Sequence, residues 1–86
     1  MLTFTVPNTT TTKPIEVGGG VRIRVDGTHY MMMCEVVALD ESGQDDYPIK
    51  VKGIGFEGWI KLDWVTDALD KAAYALERAI NVIGNT

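Results

Sequence analysis

The stretch Val21-Arg22-Ile23-Arg24-Val25, then Asp26-Gly27, then Thr28-His29-Tyr30-Met31-Met32, constrains this chain more than any other. Apolar and polar residues alternate on both sides of an Asp-Gly pair, and period-two alternation is the pattern of a half-buried strand. Asp-Gly is favoured in two-residue hairpin turns because both central residues must take positive φ. The spacing predicts a hairpin that pairs Val25 with Thr28, Ile23 with Tyr30 and Val21 with Met32 on one face. Arg24 with His29 and Arg22 with Met31 lie on the other. The second strand continues through Cys34-Glu35-Val36-Val37-Ala38-Leu39, too long and too apolar on both faces to stay flat and half exposed. A bend or bulge near its middle, carrying it from one sheet to another, resolves this.

Elements on either side are simpler. Leu2, Phe4 and Val6 alternate with Thr3 and Thr5 before Pro7, a short edge strand that the proline ends. Asn8, the threonines Thr9 to Thr12 and Lys13-Pro14 read as a polar connector, and Gly18-Gly19-Gly20 as a flexible point. After the acidic loop Asp40-Glu41-Ser42-Gly43-Gln44-Asp45-Asp46 and Tyr47-Pro48 comes a strand, Ile49-Lys50-Val51-Lys52. Gly53, Gly55 and Gly58 then surround a tight hairpin leading into a strand over Trp59–Val65. From Thr66 the period changes. Leu69, Ala72, Ala73, Leu76, Ile80 and Ile83 recur at helical spacing, with Ala68, Ala75, Ala79 and Val82 widening the stripe. This predicts a helix over Asp67–Ile83, capped by Thr66, with Asp67 and Asp70 at its positive end and Gly84 past its last turn.

The Val21–Val25 strand, the long Tyr30–Leu39 strand, the polar loop, Tyr47-Pro48-Ile49-Lys50-Val51-Lys52 and the glycine-turned hairpin into Trp59-Ile60-Lys61-Leu62 together resemble an SH3-like small barrel. The resemblance covers residues 13–65, rests on strand rhythm, and implies a fold without an activity. The expected fold class is therefore α+β: a small, SH3-like, partly open antiparallel β-barrel with one C-terminal α-helix packed on it. With 86 residues the chain has room for a single core. It divides into a loosely held N-terminal strand and connector (1–20), the barrel (21–65) and the helix (66–84).

Composition narrows the chemistry. Lys and Arg number 8 against 12 Asp and Glu, a net charge of −4, the opposite of the basic footprint of most nucleic-acid binders. Cys34 is the only cysteine, so no intramolecular disulfide can form, which fits a cytoplasmic protein. The N-terminus lacks a basic region followed by a long apolar one, and no stretch approaches the roughly 18 apolar residues of a membrane span, so neither export nor a membrane partner is expected. His29 and Cys34, five residues apart on one strand, fall on opposite faces, too far for a nucleophile pair. Cys34 reads as an inert core thiol and His29 as solvent-facing. One Cys and one His cannot build a zinc site, the acidic loop lacks a calcium-loop order, and Gly18-Gly19-Gly20 precedes a strand and carries no phosphate-loop lysine. No catalytic residue, metal site or cofactor is expected, and the chain is read as not an enzyme.

Binding remains. The first expectation is a protein-binding module or small inhibitor that occupies its target's surface through Asp40, Glu41, Asp45 and Asp46 together with exposed apolar residues. The alternative is a nucleic-acid-binding barrel. Arg22, Arg24, Lys50, Lys52 and Lys61 occupy polar strand positions, and Phe56 or Trp59 would stack bases beside them. Met31-Met32-Met33 turns at least one methionine outward in any register. The C-terminal helix is the candidate contact for a homodimer. Size, acidity and the missing catalytic set also resemble small phage accessory proteins that block host defence.

Overall fold

A computed structural model describes residues 2–24 and 31–84, with side chains through residue 80. In chain order come β1 (Thr3–Thr5), β2 (Thr12–Pro14), β3 (Gly20–Arg24), β4 (Met31–Leu39), β5 (Ile49–Gly53), β6 (Phe56–Ile60), a 3-10 turn (Leu62–Trp64), β7 (Val65–Leu69) and α1 (Lys71–Gly84). The fold is mixed α+β. Among the described residues the strands form two antiparallel sheets, a β1-β2 hairpin and a five-stranded sheet of order β6-β5-β4-β3-β7. β6 and β7 end that sheet without pairing to each other, so it does not close into a barrel.

The long strand has the expected irregularity but does not pass from one sheet to another, since both of its partners belong to the same five-stranded sheet. β4 pairs β3 along Met31–Glu35 and β5 along Glu35–Leu39, with an irregularity between Val36 and Ala38 that bends it between the two halves. The β3-β4 register differs from the sequence expectation. Ile23 pairs Met32 and Val21 pairs Cys34, in place of Tyr30 and Met32. A shift of two leaves every side chain on its expected face, so alternation alone cannot separate the two registers. Packing separates them: Met32 Sδ and Cys34 Sγ fill the space above Gly53, where an added Cβ would lie 2.8 and 3.0 Å from them. The Asp26-Gly27 turn and His29 lie outside the described residues.

Alternate residues of three neighbouring strands build the core: Val21 and Ile23, Cys34 and Val36, Ile49 and Val51, with Ile60 of β6, all without exposed surface. Ile15, Val65 and Ala68 complete it, while Leu2, Phe4, Met32, Leu39, Phe56 and Trp64 pack against its margin. The glycine run serves close approach and not flexibility. Gly19 and Gly20 are buried, and a Cβ on Gly19 would lie 2.5 Å from the Leu69 carbonyl oxygen. One on Gly20 would run into the Tyr74 ring.

Two expectations fail between residues 59 and 71. Trp59–Val65 is not one strand: β6 ends at Ile60 and the chain turns before β7. The helix starts at Lys71, so Thr66 does not cap it and Asp67 does not belong to it. β7 is antiparallel to β3 with a register shift beside Arg22 and Ile23, which turns both Val65 and Ala68 into the core. A bulged strand thus places residues three apart on one face, and Ala68 and Leu69 extend the helical spacing of Ala72, Ala73 and Leu76 although both belong to β7. The actual cap is Asp70, whose carboxylate accepts the Ala73 N–H at 2.7 Å, while Glu16 accepts the Lys71 N–H at 2.9 Å.

Candidate interaction surfaces

Every inward position of the main sheet is occupied by the core, so chemistry is confined to the outer face, the loops and the helix. Among the described residues no polar or charged side chain is fully buried. Cys34 is buried, and burial pushes its thiol above the ordinary range, away from the reactive thiolate. No group of three His, Cys, Asp or Glu side chains converges among the described residues.

The outer face carries four of the five expected cations. Arg22 and Arg24 project from β3, and Lys50 and Lys52 from β5, directly across from Trp59 and Glu57 of β6. Lys61 is elsewhere: beyond β6 the chain turns, and its ammonium lies 5.4 Å from the Tyr47 ring centre, beside the acidic loop. Phe56 is also displaced, since strand alternation turns it inward against the core while Trp59 stays 43% exposed. The basic face is not uniform. Arg22 donates to Glu77 at 2.7 Å and Glu35 accepts from Arg78 at 3.3 Å. Among the described residues Lys50 and Lys52 have no ion pair.

The acidic loop is folded on itself. Its ends are tied by Asp40 N–H to the Pro48 carbonyl at 2.8 Å, and Asp40 and Asp45 accept the Ser42 and Tyr47 N–H groups at 3.0 and 2.9 Å. The Ser42 N–H, and then its hydroxyl, hold the Asp40 carboxyl below the ordinary carboxylate range. Asp46 is exposed with Glu41, Asp45 and Tyr47. The Tyr47 ring stands edge-on to Trp64 at 6.0 Å, joining the loop to the margin of the core.

The helix holds the largest surprise. Its contacts with the sheet are made by Tyr74 over Gly20, Glu77 to Arg22 and Arg78 to Glu35, a three-residue polar stripe at i, i+3 and i+4. Burial, then the Glu35 charge, raises the Tyr74 hydroxyl above its ordinary pKa, against the lowering effect of Arg78. Among the described residues of α1 the apolar side chains at 72, 75, 76, 79 and 80 therefore point away from the protein, while Ala73 is half-buried. Leu76 is 64% and Ile80 58% exposed, and Ala72, Ala75 and Ala79 are exposed with them. A helix packed on the sheet is expected to bury this stripe, and Leu76 and Ile80 are instead turned to solvent. The signal was present in the polar residues 74, 77 and 78, but it has meaning only once Gly20, Arg22 and Glu35 are known to be neighbours. The cleft beside the helix, about 460 Å³, is lined by Glu35, Tyr74, Glu77 and Arg78 with Met33, Lys52 and Ile54. Sequence reasoning also passed over Ile54, which is fully exposed at the hairpin tip before Gly55, whose φ is +72°. At the far edge Lys13 donates to Asp67 at 2.9 Å. Burial acts to raise the Asp67 carboxyl, but this bond, the Ala68 N–H and the charges of Lys13 and Arg22 outweigh it and hold the group below the ordinary range.

No protein-family model matches the chain, and no curated protein or solved structure matches it. No helix among the described residues is long and apolar enough to cross a membrane.

Proposed function

We propose that the protein is a non-enzymatic protein-binding module, a small inhibitor-type domain that acts by occupying its target's surface. The observation that carries this is the outward apolar stripe of α1, with Leu76 and Ile80 more than half exposed on the side away from the sheet. An amphipathic helix whose polar side is already bound to its own domain is arranged for helix-in-groove recognition. Asp40, Glu41, Asp45 and Asp46, on a net charge of −4, favour a groove with a basic rim. The reading extends to blocking a host-defence component in a cytoplasmic setting, which rests on small size, acidity and the single cysteine alone. The SH3-like, partly open barrel is supported by the bent β4 at the sheet centre and the 3-10 turn before β7.

The test compares wild type with a Leu76→Gln, Ile80→Gln double variant as baits in the same lysate. A protein retained stoichiometrically by wild type, lost with the helix variant, and weakened at high salt or by loop neutralisation is expected. Equal retention by both baits would overturn the helix assignment. The nucleic-acid alternative keeps one supporting observation, Lys50 and Lys52 beside Trp59 with no ion pair among the described residues. It requires saturable single-strand binding at low salt, lost in Arg22→Glu, Lys50→Glu, in an anisotropy titration at two salt concentrations.

A further inference from the structure

The two edges of the five-stranded sheet are finished differently. β7 is guarded: the β1-β2 hairpin lies against it and Lys13 reaches across to Asp67. β6 is bare. Among the described residues only β5 pairs with it, and no backbone bond from a loop reaches it. The two-residue turn Ile54-Gly55 closes the β5-β6 hairpin at Gly53 and Phe56, so Phe56, Gly58 and Ile60 face β5 with their backbone groups. The N–H and C=O groups of Glu57 and Trp59 point outward from the sheet. Such an edge is normally blunted by charged side chains, proline or a bulge, and β6 carries a single charge, Glu57, with neither proline nor bulge.

We propose that β6 is a homodimerisation edge, at which a second copy of this chain adds its own β6 antiparallel about a two-fold axis at Gly58. In that register both outward-facing residues of β6 meet outward-facing residues of the second copy. Glu57 exchanges two hydrogen bonds with Trp59 of the second copy, and Trp59 exchanges two with Glu57 of that copy. Side chains fit as well. On the inner face Phe56 lies opposite Ile60, an aromatic against a β-branched residue. On the outer face the order across the seam is Lys50, Trp59, Glu57 of the second copy and Lys52 of the second copy, so each carboxylate sits between an indole and a lysine and no like charges oppose one another. The hairpin tip with the fully exposed Ile54 comes beside the turn that carries Leu62, itself 37% exposed. One strand pair buries less than a standard interface, so the dimer dissociates on dilution.

Sedimentation equilibrium from low to high micromolar concentration, with amide exchange at both ends of the range, tests this. Wild type should pass from monomer to dimer, and the Glu57 and Trp59 amides should become protected only as dimer forms. Trp59→Pro removes an outward donor without touching the β5 ladder, and Glu57→Lys sets lysine among lysines. Each should weaken the dimer at least roughly tenfold, with unchanged far-ultraviolet circular dichroism confirming the fold. A single monomeric species throughout the range overturns the proposal. So does a dimer that survives both substitutions, or one lost only in Leu76→Gln, Ile80→Gln, which would place the contact on α1.

Discussion

The two faces of the five-stranded sheet are held by different physics. On the inner face Val21, Ile23, Cys34, Val36, Ile49, Val51 and Ile60 lie wholly out of water, side by side on neighbouring strands. On the outer face α1 is attached by one ring over a glycine and two ion pairs whose side chains are 32 to 64% exposed. Full burial of one aliphatic side chain contributes about 1.5 to 3 kcal/mol, whereas an exposed ion pair contributes about 0 to 1 kcal/mol. The sheet is therefore the stable unit and the helix its weakly attached tenant. Apolar burial selects the fold on one face, and polar matching aims an element on the other.

The sharpest break of that comparison is Ile23→Ala. It opens a cavity between β4 and β7 and should cost about 2 to 4 kcal/mol in denaturant unfolding. A loss under 1 kcal/mol would mean the inner face is not the source of stability. Next comes Gly20→Ala, which puts a methyl into the Tyr74 ring and should cost about 1 to 3 kcal/mol as overpacking. Its near-ultraviolet tyrosine signal should change while far-ultraviolet strand signal stays, because the helix shifts and the sheet does not. An unaltered tyrosine signal would show that the ring is not seated on β3. The smallest effect belongs to Leu76→Ala. On an exposed helix position it should move stability by no more than about 0.5 kcal/mol, although the same change in a core would rival Ile23→Ala. A loss of 2 kcal/mol would place Leu76 inside and reverse the orientation of α1.

Much of the sheet was legible because alternation is a local property. The inward set of β3, β4 and β5, the bend in β4 and the Gly55 turn all follow from residues within a few positions of one another. The β3-β4 register was not legible, since a slip of two preserves every face and only the contact of Met32 and Cys34 with Gly53 separates the choices. Ala68 and Leu69 misled because they extend the helical spacing of Ala72, Ala73 and Leu76, although both belong to β7. Of the candidate sites, the common face of Arg22, Arg24, Lys50 and Lys52 came from strand parity. The places of Lys61 and Phe56 depended on where β6 ends and which way it faces.

By itself the sequence determined an α+β domain with a C-terminal helix, a single-cysteine core and acidic loop carboxylates, because composition and short-range periodicity carry that information. Only the tertiary structure decided which side of the helix the protein keeps. An amphipathic pattern states that two faces differ, and the usual inference assigns the apolar one to the core. Here the inner face of the sheet was already filled by its own alternate residues. The outer face offered Gly20, Arg22 and Glu35, to which Tyr74, Glu77 and Arg78 are complementary. Leu76 and Ile80 lie on the opposite side of α1 from Tyr74, Glu77 and Arg78, so seating the polar stripe turns them outward, a consequence of neighbours about 40 to 55 residues apart in the chain.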